Sequence, residues 1–414
     1  MPGRPSRVAP RVGSMNVLVP NAAPHVTDAE LQAVRDVLIS GAWTGGEQVA
    51  SFERELAAAL DAPHVVTVAS GTAALHAVLT LLRVPGTRQL LVTSDLNFLA
   101  APSTALHLGY EIAFTDIAEN SLNMDPEALE TLLRESGPDY DDVIVVPVHF
   151  AGLAAGMDDI HRVCAEHGAR VVEDAAHAIG ARYADGRPVG SDVRSVACVF
   201  SFHPTKNVAT PEGGAISVHD ADVAGRLRLL RNHGMDKADL VDAEDAFAAD
   251  GTRNPWYYQV RSPGLNLRLS DVHAAVGRCQ LGRLAETTRR RRDLAERYHQ
   301  ALSGVANVAP ATETAIAKSV WHLYPAILDI DALALTKQEV FARFAADGIA
   351  LQVHYTPLHR QPAYANRPLV AAAKFPVVER VSRGLVSLPM FTGMSDVQQE
   401  LVVAALRALP GGAR

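Results

Sequence analysis

The sequence predicts an α/β protein: a large domain on a mainly parallel, seven-stranded sheet, followed by a smaller α+β domain at the carboxyl end. Three observations carry this. Between residues 60 and 220 seven short β-branched runs recur, most of them apolar at every position, as strands buried on both faces must be. The segments between them are long enough for helices, the connection that parallel neighbours require. From about residue 320 the pattern changes to WHLYPAILDI, then KQEVFARFAADGIALQVHY, then a last helical stretch near SDVQQELVVAALRAL.

Residues 1–16 carry arginines and prolines but no apolar stretch, so they read as a disordered extension, neither secretory signal nor membrane anchor, with Met15 an alternative start. The large domain is expected over residues 17–285 and the small one over 286–414. The strands are HVVTV from His64, QLLVT from Gln89, YEIAF from Tyr110, DVIVVPV from Asp142, ARVVE from Ala169, SVACVF from Ser195 and AISV from Ala215. After the first, Leu75, Val78, Leu79 and Leu82 fall at i, i+3, i+4 and i+7, the apolar stripe of a helix that begins right after Ser70, Gly71 and Thr72. The acidic stretch from Asp236 to Gly251 reads as a solvated loop. GLNLRLSD then leads into a helix that Ser270 and Asp271 can cap, and the arginines ending at Arg292 are expected on a solvated helix surface.

A net charge of -8 without a basic cluster argues against nucleic-acid binding driven by counterion release. Cys164, Cys198 and Cys279 have no metal-site spacing and are too few for a disulfide framework, which suits free thiols in a reducing cytoplasm. The expectation is a cytoplasmic protein acting on small molecules, without a metal and without a membrane or nucleic-acid partner.

Ligands of open α/β sheets gather at the carboxyl ends of the strands, and four segments lie at such places. In SGTAAL, Gly71 lets the backbone approach a ligand, and the helix start offers free N–H groups and a positive dipole end to phosphate; the same junction also serves as a plain turn. VVEDAAHA ends a strand with Glu173 and Asp174 at its mouth and His177 three residues on. A carboxylate there could keep a heterocyclic nitrogen protonated, or merely cap the next helix. FSFHPTKN crowds Ser201, His203, Pro204 and Lys206 after a buried strand, where desolvation lowers the lysine pKa and supplies the neutral amine that imine formation needs. GLNLRLS offers Asn266 and Arg268, suited to phosphate but also ordinary in a loop.

Together with EGGAI from Glu212, RNHGM from Arg231, WHLYPAI from Trp321, HYTPLHRQPAY from His354 and SLPM from Ser387, these ordered segments resemble the DegT/DnrJ/EryC1/StrS family of pyridoxal-phosphate (PLP) dependent sugar aminotransferases. The resemblance runs from about residue 17 over nearly the whole chain and implies the fold-type-I PLP transferase architecture. It implies PLP as cofactor, Lys206 as its Schiff-base lysine and Asp174 as partner of the pyridine nitrogen. Gly71, Thr72, Ala73 and Ser201 would cradle the phosphate, and Phe98 would stack on the ring. Asn266 would reach the phosphate from a neighbouring subunit, making the active unit a homodimer with shared sites. His177 stands where many members have glutamine, and histidine is known in the branch that aminates a UDP-linked 4-keto-pentose. One departure is TSDLN before Phe98, where the family more often has a proline and an aromatic.

The chemistry implied is transfer of an amino group from an amino acid, usually glutamate, to a keto-sugar, most typically nucleotide-linked. The freed Lys206 amine moves the proton, a role that arginine could not take. His233, Trp256, Tyr257, His322, His354, Tyr355 and His359 are candidates to line the acceptor pocket. A keto-cyclitol acceptor and an aminohydroxybenzoate-synthase-like dehydratase stay open, whereas Lys206 counts against the sugar deoxygenases, which carry histidine at that place. A non-catalytic PLP-binding regulator would lack catalytic groups or add a DNA-binding segment, and neither is seen.

Overall fold

The computed structural model describes residues 11–12, 15–238, 240, 245–303, 305–312 and 316–410. All seven expected strands form: β1 (His64–Val68), β2 (Gln89–Ser94), β3 (Glu111–Thr115), β4 (Asp142–Val146), β5 (Arg170–Asp174), β6 (Ala197–Ser201) and β7 (Gly214–Val218). They make one sheet in the order β1-β7-β6-β5-β4-β2-β3. Neighbours are parallel except for β7, which runs antiparallel to both β1 and β6. Both faces are covered, so Ile144 and Val145, consecutive on β4, enter two different buried clusters, as the pleat requires.

The helix Gly71–Leu82 forms as read. Ser70 caps it by accepting the Ala73 N–H at 3.1 Å, and Leu75, Val78, Leu79 and Leu82 are buried. Ser270 caps the helix Asp271–Gly282 through the His273 N–H at 3.2 Å. Asp271, expected to share that task, caps another helix: its carboxylate accepts the N–H groups of Gly46, Gln48 and Val49 at 2.7, 2.9 and 3.3 Å, at the start of the helix Glu47–Leu60. The arginine run also departs from expectation. On the helix Leu284–Leu302, Arg291 shares the inward face with Leu294, Ala295 and Tyr298, and its Nη1 donates to the carbonyls of Trp321 and His322, each at 3.1 Å.

Of residues 1–16, the described pairs Arg11–Val12 and Met15–Asn16 form two antiparallel strands; the rest lie outside the described residues. So do 239 and 241–244 of the acidic stretch. Its described part is not simply solvated, because Ala246 is buried and the buried Asp236 pairs with Arg261 at 3.2 Å.

Towards the carboxyl end, β8 (Val308–Pro310), β9 (Tyr324–Leu328) and β10 (Leu385–Leu388) form an antiparallel sheet in that order. Its core gathers Tyr298, Tyr324 and Phe344 and also, from the far end of the chain, Val19. The Leu18 and Val19 N–H groups donate to the Gly348 carbonyl, Ala350 N–H to the Val19 carbonyl and Met390 N–H to the Asn21 carbonyl, all at 2.9–3.0 Å. Among the described residues no helix is long and apolar enough to cross a membrane.

Candidate active site

The carboxyl ends of β1, β5 and β6 converge on a cavity of ≈ 400 Å³. Asp174, the last residue of β5, is 5% exposed and faces it; its Oδ1 accepts the Ala176 N–H at 3.0 Å. Burial raises the Asp174 pKa against the opposing pull of Lys206. Lys206 lies in the turn after β6, its N–H donating to the His203 carbonyl at 2.8 Å. Desolvation lowers its pKa to about 8, with the Asp174 charge working the other way.

At the mouth of β1, the helix start at Gly71 presses against the end of β6. A Cβ built on Gly71 would stand 2.9 Å from the Ser201 Cβ, so any side chain there would wedge the two apart. Gly71, Thr72 and Ser201 all line the cavity. Ala73 does not, and its N–H is already taken by Ser70.

Opposite the strand ends, Tyr355 exchanges a 2.9 Å hydrogen bond with His177 Nε2, and its ring centroid lies 5.6 Å from that of Phe98. Phe98 forms the rim and is 48% exposed. His322 approaches from the segment before β9: its Nε2 is 3.4 Å from Lys206 Nζ and its ring centroid 4.5 Å from that of His177. His354 lines the cavity and bonds Ser387 Oγ at 2.8 Å. Burial depresses the pKa of His177, His322 and His354, the last to about 4. His177 Nδ1 and His322 Nδ1 are buried and have no partner among the described residues.

The structure thus brings Gly71, Thr72, Phe98, Asp174, His177, Ser201, Lys206, His322, His354 and Tyr355 together. It keeps others apart. Asn266 and His233 are exposed and stand outside the cavity, as does Tyr257. His359 is turned away, its ring nitrogens engaged by Asp95 at 2.6 Å and Glu379 at 2.7 Å. Glu173, read beside Asp174 at the strand mouth, points to the opposite face of the sheet and is fully buried there, because side chains alternate along a strand. Sequence reasoning missed Asn97, Thr205 and Glu212 on the cavity wall. Each is a neighbour of a motif residue, which was the available signal.

A second cavity of ≈ 520 Å³ adjoins the first and shares His203, Thr205, His322 and His354 with it; Asn21, Gln352 and Met390 are on its far walls. The first cavity suits PLP: a glycine-spaced helix start for the phosphate, a buried carboxylate for a cationic ring nitrogen, and a half-buried lysine of lowered pKa for the aldehyde.

Residues 24–407 match the model of the DegT/DnrJ/EryC1/StrS aminotransferase family. The chain is 35% identical over 404 residues to the spore coat polysaccharide biosynthesis protein SpsC of Bacillus subtilis, covering 97% of this chain and 100% of that one. It is 30% identical over 407 residues to the UDP-4-amino-4-deoxy-L-arabinose–oxoglutarate aminotransferase of Shewanella sediminis, covering 96% and 99%. Among solved structures it is similar to PseC of Helicobacter pylori, an aminotransferase of pseudaminic acid biosynthesis, with a TM-score of 0.83 at 26% identity, covering 94% and 98%. With the match spanning both sheets, the chain belongs to the DegT/DnrJ/EryC1/StrS aminotransferase family and is a PLP-dependent aminotransferase.

Proposed function

We propose that the protein transfers an amino group from glutamate to a nucleotide-linked keto-sugar, using Lys206 as cofactor-bearing lysine and proton carrier. The observation that carries this reading is the half-buried Lys206, with a pKa lowered to about 8, facing Asp174 across one cavity while a second cavity opens beside it. Bound PLP supplies an electron sink that acidifies the α-hydrogen of a joined amino acid.

The protein's own residues do the rest. Asp174 keeps the ring nitrogen protonated, a pairing that burial strengthens on both sides. Gly71, Thr72 and Ser201 hold the phosphate, and His177, oriented by Tyr355, closes the cavity on the ring side. Lys206 Nζ would take the proton from the donor carbon and return it two atoms away, across the nitrogen; a pKa near working pH lets it do both. The second half of the reaction runs the same proton in reverse on the acceptor ketone. The neighbouring cavity, whose apolar walls from Val17, Leu351 and Met390 are interrupted by the amides of Asn21 and Gln352, the Thr205 hydroxyl and three imidazoles and carry no carboxylate, suits a polyhydroxy acceptor with an apolar ring face. The relatives' names support this choice: one is a polysaccharide biosynthesis protein, another acts on a UDP-sugar with oxoglutarate.

The homodimer with shared sites belongs to the same proposal. Asn266 is exposed and outside the cavity of its own chain, and exposed Trp256 and Leu265 lie on nearby segments. The function is tested by mixing the PLP-loaded protein with glutamate and following the cofactor absorbance, then offering the product form a panel of nucleotide keto-sugars and keto-cyclitols read by mass spectrometry. Amination of a nucleotide sugar is expected. Absence of any spectral change with glutamate or any other amino acid overturns the proposal, and preference for a keto-cyclitol moves the acceptor class.

A further inference from the structure

Resting on the reading of Lys206 as proton carrier, we infer that His322 is its positioning residue. His322 Nε2 accepts one hydrogen of the Lys206 amine, aims the amine's lone pair at the reacting carbon and shelters the ammonium formed when that lone pair takes a proton. Among the described residues, His322 Nε2 is the protein nitrogen or oxygen within hydrogen-bond distance of Lys206 Nζ, at 3.4 Å. The other groups around Nζ are engaged or differently placed. His177 Nε2 is bonded to Tyr355 at 2.9 Å and His354 Nδ1 to Ser387 at 2.8 Å, while Asp174, Glu212 and His203 line the same cavity.

The two segments are stapled to each other. Asn207, next to Lys206, donates from Nδ2 to the Val320 carbonyl at 3.0 Å. The His322 N–H donates to the Ala151 carbonyl at 2.9 Å, and its own carbonyl is held by the buried Arg291. The approach depends on Gly152: at φ +95 it takes a backbone shape that side chains resist, and a Cβ there would lie 2.8 Å from Val320 Cγ2 and 3.1 Å from the His322 nitrogen. His322 is therefore fixed from behind, with its Nε2 held towards Lys206.

An imidazole can accept a hydrogen only when neutral. Burial, with Lys206, His177, Arg291 and His354 nearby, keeps it so by depressing its pKa. Protonation of Lys206 then turns an ordinary N–H···N contact into a charge-assisted one, which strengthens at that moment. An acceptor at this place raises the proton affinity of an otherwise desolvated lysine and leaves the second substrate free of a competing charge.

The test uses the full-length apoenzyme and measures the pH dependence of Lys206 acetylation by acetic anhydride, read by peptide mass spectrometry. Wild type is expected to titrate near about 8. In His322→Leu the midpoint falls by about one pH unit, and in His322→Gln, whose amide oxygen accepts, most of the shift is recovered. His322→Met gives the same reading as the leucine variant should the latter not fold. With the cofactor loaded, the half-reaction with glutamate slows about 10- to 100-fold in the apolar variants, with KM little changed. An unshifted midpoint in a folded apolar variant overturns the inference, as does a glutamine variant no closer to wild type than leucine. Borohydride reduction of the wild-type holoenzyme separates the two ideas: cofactor fixed on a lysine other than Lys206 sinks the parent reading, whereas cofactor on Lys206 with an unmoved midpoint sinks only the role of His322.

Discussion

Glu173 and Asp174 are consecutive on β5, both buried, and their surroundings could hardly differ more. Glu173 is saturated: its Oε2 accepts from His149 Nε2 at 2.9 Å and Tyr183 OH at 2.7 Å, and its Oε1 accepts from Ser195 Oγ at 2.6 Å. His149 is fixed in turn, because its Nδ1 accepts the Ala155 N–H at 3.0 Å and leaves the hydrogen on Nε2, facing the carboxylate. Around Asp174 the reverse holds. One backbone N–H, a lysine of lowered pKa and two imidazole nitrogens without partners among the described residues make a polar pocket open to a ligand. Buried polar groups in folded proteins are paired, so the saturated side reads as scaffold and the open side as shaped for a ligand. His149, Glu173 and Cys198 have ligand-type atoms within 4.8 Å of one another, but the carboxylate oxygens are already committed and burial pushes the Cys198 thiol pKa up, away from the thiolate a metal needs.

The contrast can be broken by substitution. Lys206→Ala is expected to lower turnover about 10⁴-fold or more while the melting temperature of the apoprotein holds or rises, since a desolvated amine is removed; retained aminotransfer would refute the assignment. Glu173→Ala should destabilise the apoprotein by about 3–5 kcal/mol in urea unfolding, because three buried donors lose their acceptor. Asp174→Ala should instead spare apoprotein stability and weaken PLP binding about 100-fold by fluorescence titration, or roughly 3 kcal/mol. If these two variants exchange behaviours, the division into scaffold and ligand side is wrong.

A pH series sharpens the same point. His177, His322 and His354 have folded pKa values below that of an unfolded histidine, so the unfolded chain binds more protons as pH falls below 6.5 and apoprotein stability drops towards about pH 4. His354→Asn should flatten that slope by at most about 3 kcal/mol across the window, as measured by urea midpoints; an unchanged slope would mean that the ring is not held neutral. The smallest effect expected is that of a chelator, which should leave both melting temperature and activity unchanged.

Much of this was legible in the sequence for one physical reason. Strands of a parallel sheet buried on both faces are continuous apolar runs, so all seven could be read, and a site built on strand ends then follows from position. What stayed hidden depends on partners distant in sequence. Asp271 reads as the cap of its own helix, and nothing near it reveals that its acceptor oxygens serve Gly46 and Gln48. His359 reads as a pocket residue until the fold brings Asp95 and Glu379 to it. Arg291 sits in a run of four arginines, and only the facing of the helix singles it out for burial. Glu173 was within reach of simple alternation, had the orientation of one β5 side chain been known.

The pairing of Val19 with Ile349 carries a consequence for how the molecule is made. A ribosome delivers the large sheet, including Lys206 and Asp174, well before it delivers residues 348–390, against which Leu18, Val19 and Asn21 dock. During synthesis residues 18–21 must wait for their neighbours, and the far wall of the second cavity closes only after residue 390 has been made. A nascent or carboxyl-truncated chain therefore holds the strand-end wall of its first cavity, with Lys206 and Asp174, before His354 and Tyr355 arrive to complete it and before there is anywhere to seat an acceptor.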